Sequence, residues 1–256
     1  MNACTAVRSG PGHWWHSFLM MTRWEVVGLR LLLPITVFVQ ILTGAGFVLG
    51  VGLLFGQIPP RAALFVSTGV VVVTLATVGL VLGPQLIAAQ KAQQTYDFIW
   101  SLPVPRSTAA AAWIATNTII ALPGMAVALV VASWRYDLDL VVSAAIVPGA
   151  ALTLYTATMV GYAIAHTLQQ PMLINLITQV TIFALTGLSP VNFPKEQLPG
   201  WLAALNEGLP LFHMANVMRA GLTEGIVNGL GRSYLVLGGW AVLATVLTGW
   251  VLRRRA

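Results

Sequence analysis

Six apolar stretches, each long enough to cross a bilayer, partition this chain: 31–56, 62–89, 107–133, 140–165, 172–188 and 233–252. A helix needs ~20 consecutive apolar residues to span the hydrocarbon core. Six crossings and their connections therefore use about the whole length and leave no room for a separate soluble domain. In hydrocarbon every backbone N–H and C=O must be satisfied within the protein, which only helices and closed barrels achieve. These runs are long and lack period-two alternation, so they predict helices. Only 8% of residues are charged, against roughly 25% in a soluble domain, and no span core holds Asp, Glu, Lys or Arg. The expected fold is an all-α integral membrane protein. The first run is too long for a signal-peptide core and reads as a retained span. The single cysteine, Cys4, excludes an intrachain disulfide.

The formal charge of +6 points to topology rather than to nucleic acid. With six spans both termini share one side, and that side carries eight Lys or Arg: Arg8, Arg23, Arg30, Lys91, Arg106, Arg253, Arg254 and Arg255. The other side carries five, Arg61, Arg135, Lys195, Arg219 and Arg232. Acidic residues divide two (Glu25, Asp97) against five (Asp137, Asp139, Glu196, Glu207, Glu224), for net charges of +6 and 0. Basic loops stay in the cytoplasm, so both termini are expected there, including the 253–256 tail.

Three segments outside the spans stand out. Residues 13–30, HWWHSFLMMTRWEVVGLR, set His16, Arg23 and Arg30 on one helical face and Trp15, Phe18, Leu19, Val26 and Leu29 on another. Trp14, Trp15 and Trp24 favour the headgroup layer, so an interfacial helix is expected within 1–30. The link between spans two and three is helix-compatible from about 90 to 102 and forms the largest cytoplasmic connection. Residues 189–222 carry prolines at 190, 194, 199 and 210 and two short amphipathic runs, 201–205 and 212–222. That segment is too polar to span and too apolar to hang free. It belongs at the outer surface, where Glu207, Arg219 and Glu224 either pair, gate an exit or form a solvated rim.

No phosphate-cradling Gly-Lys-Ser/Thr sequence is present, so the chain is not expected to hydrolyse ATP. No Cys/His cluster has metal-ligand spacing. His13 and His16 are three apart, and such a pair more often lies unliganded on an interfacial helix. Uncharged spans weaken a proton-coupled mechanism, which uses buried ionisable groups. Neutral polar residues do occur in the spans: Gln40 and Thr43 in the first, Asn117 in the third, Tyr155 in the fourth. In the fifth, Asn175, Thr178, Gln179 and Thr186 share one helical face. Such a stripe should face protein or a cavity, as a path lining or as interhelical hydrogen bonds. Gly46-x3-Gly50 and Gly52-x3-Gly56 permit close helix approach within the subunit or at a dimer seam.

Two segments carry a resemblance. KAQQTYDFIWSLPVPRSTAAAAWIATN, 91–117, is similar to a charged helix, a Leu-x-Pro-Val-x-Arg turn and a third span, although an acidic, Arg-rich run usual there is diluted to AQKAQQTYD. In 187–222, Pro199, Gly200, Trp201, Pro210, Met218 and Arg219 match a Pro-Gly-Trp, short helix, Pro, Met-Arg pattern. Together they resemble the permease subunit of bacterial ABC-2 type exporters, particularly the daunorubicin-resistance group, over nearly the whole chain. The resemblance implies a connecting helix, six spans over 31–252, a coupling helix between spans two and three, and an external hairpin. It implies two cytosolic ATPase subunits that bind ATP and Mg, a second permease (identical or sister), and a bacterial plasma-membrane location. It also implies coupling through Lys91, Gln94, Tyr96, Asp97, Trp100 and Arg106. The translocation path is expected between the two permeases, along spans one, two and five, with Gln40, Thr43, Asn175, Thr178 and Gln179 as lining. Trp201, Glu207, Arg219 and Glu224 belong to the hairpin. The cargo is expected to be an amphipathic drug, antibiotic or lipid-like molecule. A non-transporting scaffold or immunity subunit and an ion-coupled transporter are the alternatives.

Overall fold

The computed structural model describes residues 10–56, 58–101, 104–137, 142–223, 227 and 229–254. Glu224 lies outside the described residues. Those residues form eleven α-helices in chain order: α1 Pro11–Gly28, α2 Leu33–Phe55, α3 Pro60–Thr77, α4 Gly83–Ala92, α5 Thr95–Ser101, α6 Arg106–Tyr136, α7 Ile146–Thr167, α8 Pro171–Phe183, α9 Gly200–Gly208, α10 Pro210–Leu222 and α11 Leu230–Arg254. Six helical units are long and apolar enough to cross a membrane: Leu33–Phe55, Pro60–Ala92, Arg106–Tyr136, Ile146–Thr167, Pro171–Leu188 and Leu230–Arg253. The chain is a multi-pass membrane protein. Span four begins at Ile146, later than the expected 140.

Local chemistry places the breaks. Proline in the first turn opens α1, α2, α3, α8 and α10, where its missing N–H costs nothing and its fixed φ suits a helix, whereas Pro84 lies inside span two, directly after a π-helical turn. Gly56, at φ 61°, turns the chain out of α2. Gln94, at φ 60°, separates α4 from α5 and so sets α5 off from span two. Single π-helical turns interrupt span two at Val78–Leu82 and end span five at Ala184–Leu188.

Span two is the centre of the subunit, buried along most of its length. It meets span four through two glycines: a side chain on Gly161 would strike the Gly79 carbonyl. Spans one, two and three meet at Gly44, which faces Ala128, Thr74 and Gly124. The close approach of span one thus uses Gly44 and Gly52, the latter against Arg135, and not the expected Gly46-x3-Gly50 pair, which meets nothing among the described residues. Burial of span two also removes it from any path along the subunit surface, where it was expected beside spans one and five.

The 31-residue α6 extends about 46 Å, well beyond a hydrocarbon core of ~30 Å. The interfacial helix α1 docks along this excess length. Trp14 Nε1 donates to Ser107 Oγ at 3.0 Å and Thr116 Oγ1 donates to Glu25 at 2.7 Å. Trp15, Leu19, Met20, Trp24 and Val27 remain exposed on its other side, as a helix immersed in headgroups requires.

At the far end of the spans the 189–222 segment is not a loose rim. Met214, Ala215, Val217, Met218 and Leu222 of α10 are completely buried, packed with α3, α7 and α11. α9 stays at the surface, with Trp201 exposed. Polar contacts pin the hairpin. Asn206 donates to the Leu188 carbonyl at 3.0 Å, Trp240 Nε1 donates to Gly208 O at 2.9 Å, and His213 bridges Ser233 Oγ and Glu207 O.

Candidate functional site

The short helix α5 lies on the side of the subunit that carries α1 and the end of α11. Tyr96 and Trp100, one turn apart, share the inner face of α5 and their rings are 5.8 Å apart. Both reach His166 in the last turn of α7, with centroid distances of 5.6 Å and 5.4 Å. His166 also stacks on Tyr162 at 3.9 Å, its Nδ1 2.8 Å from the Tyr162 carbonyl. Lys91, at the end of α4, donates to the carbonyls of Ala165 and Leu168 at 2.5 Å each and sits 4.9 Å above the Tyr96 ring. These carbonyls belong to the end of α7, where no intrahelical donors remain and the helix dipole favours a cation. Lys91 is therefore a cap that ties span two to span four.

The coupling residues named from the sequence divide accordingly. Tyr96 is buried, Trp100, Lys91 and Arg106 are partly buried, and Gln94 and Asp97 are exposed together with Phe98. Phe98 meets Trp24 of α1 at 6.2 Å. The outer edge of α5 is thus an open surface of Gln94, Asp97, Phe98 and Ser101, while its inner edge is fastened to span four.

Glu25, His166, Trp113 and Tyr162 are the residues that sequence reasoning missed. Glu25 enters a cavity of about 30 Å³ lined also by Met21, Gln90, Tyr96, Trp100, Trp113, Tyr162 and His166. Burial pushes its carboxyl up from 4.5 to about 8, while the Thr116 hydroxyl draws it down. Ser17, Met21 and Glu25, four residues apart, form the docking face of α1. An acid on that stripe was the available signal.

The path residues do not converge. Gln40 is buried against Gly124 of span three. Thr178 is buried and accepts from Gln85 Nε2 at 3.1 Å, which joins span five to span two. These two form helix contacts within the subunit and not an open lining. Thr43, Asn175 and Gln179 are exposed, the first with its hydroxyl bonded to Val39 O at 2.8 Å. Asn117 donates to Thr158 Oγ1 at 3.4 Å and Tyr155 pairs with Thr245 at 2.8 Å, both inside the subunit.

At the hairpin, Glu207 does not pair with Arg219. It binds Lys195 at 3.2 Å and Arg232 at 3.1 Å. Arg219 is only 3% exposed, which overturns the solvated rim for this residue. Its guanidinium donates to the carbonyls of Pro190 and Val191 and lies 4.3 Å from the Phe65 centroid.

A family model described as ABC-2 type transporter matches residues 17–223, from the docked helix α1 through the hairpin. No curated protein matches the chain.

Proposed function

The chain belongs to the ABC-2 type transporter family, whose membrane subunits normally work with an ABC ATPase, and from that premise we propose that it is the permease of an ATP-driven exporter. The observation that carries this reading is α5, with an open outer edge of Gln94, Asp97 and Phe98 and an inner edge fastened to span four through Tyr96, Trp100 and His166. A cytosolic ATPase pair, holding ATP and Mg itself, presses on that edge. The Lys91 cap makes the ends of spans two and four move together. In this arrangement the α5 side and both termini face the cytoplasm of a bacterial cell, as the charge bias supports.

A second permease, identical or a sister chain, packs beside spans one and five. Their outer faces are the most open of the six, and Gly46 and Gly50 on span one meet nothing among the described residues. Small residues on an open face let another backbone approach closely. Thr43, Asn175 and Gln179 then border the path between the two copies. Its lining is uncharged and mostly apolar, which suits an amphipathic drug, antibiotic or lipid-like cargo.

Co-purification with an ATPase, followed by reconstitution into proteoliposomes, tests the reading. Transport of such a cargo should require both the ATPase and ATP. Asp97→Pro should abolish it while leaving membrane insertion intact. Robust transport by the chain alone, or transport that follows an ion gradient and ignores ATP, refutes the proposal.

A further inference from the structure

Beneath the hairpin lies a pocket of about 220 Å³ lined by Arg61, Phe65, Lys195, Glu196, Phe212, Asn216 and Arg219 among others. Three of these side chains are cationic and one is acidic. Arg219 is the unusual one. Its residue is almost fully removed from solvent, and no carboxylate pairs with it among the described residues. Two backbone carbonyls and the Phe65 ring receive its guanidinium, but its Nε is buried without an acceptor. Carbonyls and rings carry only partial charge, so among the described residues a full positive charge remains to be balanced. Removing such a charge from water without a counter-charge is costly.

The surroundings point the same way. Arg61 is exposed at the start of α3, where the positive end of the helix dipole adds to its field. Lys195 sits over Phe212 at 5.8 Å and also binds Glu207 at 3.2 Å. The pocket thus presents one deep guanidinium, two cations and the Glu196 carboxylate at its walls, the Asn216 amide and two aromatic rings. Fork-shaped donors with point charges beside them match the oxygens of phosphate or carboxylate. Burial lowers the Arg219 pKa to about 9, so the site as it stands favours the charged form less than water does.

We propose that this pocket is an anion-binding site that takes a phosphate or carboxylate group, with Arg219 as its floor, Arg61 and Lys195 as its walls, and Phe65 and Phe212 against the apolar part of the molecule that bears the group. The site requires neither the ATPase nor transport, so its test is separate from that of the permease reading. Two sources carry the chemistry: free phosphate, and the headgroup of an anionic phospholipid.

The full chain in nanodiscs of phosphatidylcholine is titrated with radiolabelled inorganic phosphate. In parallel, nanodiscs containing phosphatidylglycerol are examined by native mass spectrometry for retained lipid. Saturable binding in either arm, weakened about tenfold by Arg61→Gln and by Lys195→Gln and tightened by Glu196→Gln, supports the site, and the responding arm identifies the source. Arg61 and Lys195 are exposed, so their variants should fold. No binding in both arms overturns the proposal, as does binding that ignores Arg61 and Lys195. Binding that emerges only in Glu224→Gln also overturns it, because Glu224 would then be the counter-charge.

Discussion

Replacing Glu25 by glutamine isolates the energetic cost of a carboxyl held at the joint between α1 and α6. Relative to α1 detached, with Glu25 in water at its ordinary pKa of 4.5, docking raises the pKa to about 8. At 1.36 kcal/mol per unit the rise amounts to about 5 kcal/mol. The residue is only partly buried, and solvent screening reduces this to about 2–3 kcal/mol. Below pH 4.5 both states are protonated and docking has its full strength. As the pH rises above 4.5 the detached carboxyl loses its proton before the docked one does, so docking weakens. Above about 8 both are ionised and the loss is complete. Glutamine accepts the same hydrogen bond from Thr116 and has no such dependence. Hydrogen exchange of amides 17–28, measured side by side on both proteins in nanodiscs, cancels the intrinsic pH dependence of exchange. Tyr96, Tyr162 and His166, which line the same cavity, are common to both. The variant should match the wild type at pH 4 and be protected about 30- to 150-fold more at pH 9. A ratio that stays constant from pH 4 to 9 would refute the reasoning.

Other perturbations follow from the packing. Lys91→Met removes the ammonium from the last carbonyls of span four and should cost about 1–3 kcal/mol, read as a lowered melting temperature in detergent. An unchanged melt would remove the cap from the coupling argument. Met218→Ala, at a fully buried site in α10, should cost about 2–5 kcal/mol by the same assay, whereas a surface hairpin would tolerate it. Gly161→Val drives a side chain into the Gly79 carbonyl and should leave little folded protein by size-exclusion chromatography. Glu207→Gln should change stability by no more than about 1 kcal/mol, since its two partners are exposed. The Lys195 hydrogen bond and charge, and then the charge of Arg232, hold the Glu207 carboxyl below its ordinary range. Its contribution is thus present above pH 4.5 and lost as the pH falls through the lowered value. A neutral-to-acid melting series that is identical for wild type and variant would contradict this.

Apolar length and local punctuation were legible along the chain. An uncharged run of about twenty residues without period-two alternation crosses lipid as a helix, and Pro34, Pro60, Pro171 and Pro210 each open a helix by their own backbone geometry. The six spans, the interfacial helix, the short α5 and the two hairpin helices follow from such local terms. What a polar side chain does once its helix is formed depends on groups distant in sequence. Glu25 is set by Thr116, Lys91 by Ala165 and Leu168, and Glu207 by Lys195 and Arg232. Gln40 and Thr43 lie three residues apart on one span, yet the first is buried on Gly124 and the second exposed. For a charge such as Arg219 the sequence leaves pairing, gating and a solvated rim all open, because nothing local reveals that the Pro190–Val191 carbonyls and the Phe65 ring will close over it. Local energetics decided which segments become helices and where they stop. Packing between remote segments decided which polar groups are sealed inside the subunit, and so which remain on α5, on the outer spans and in the hairpin pocket to meet other molecules.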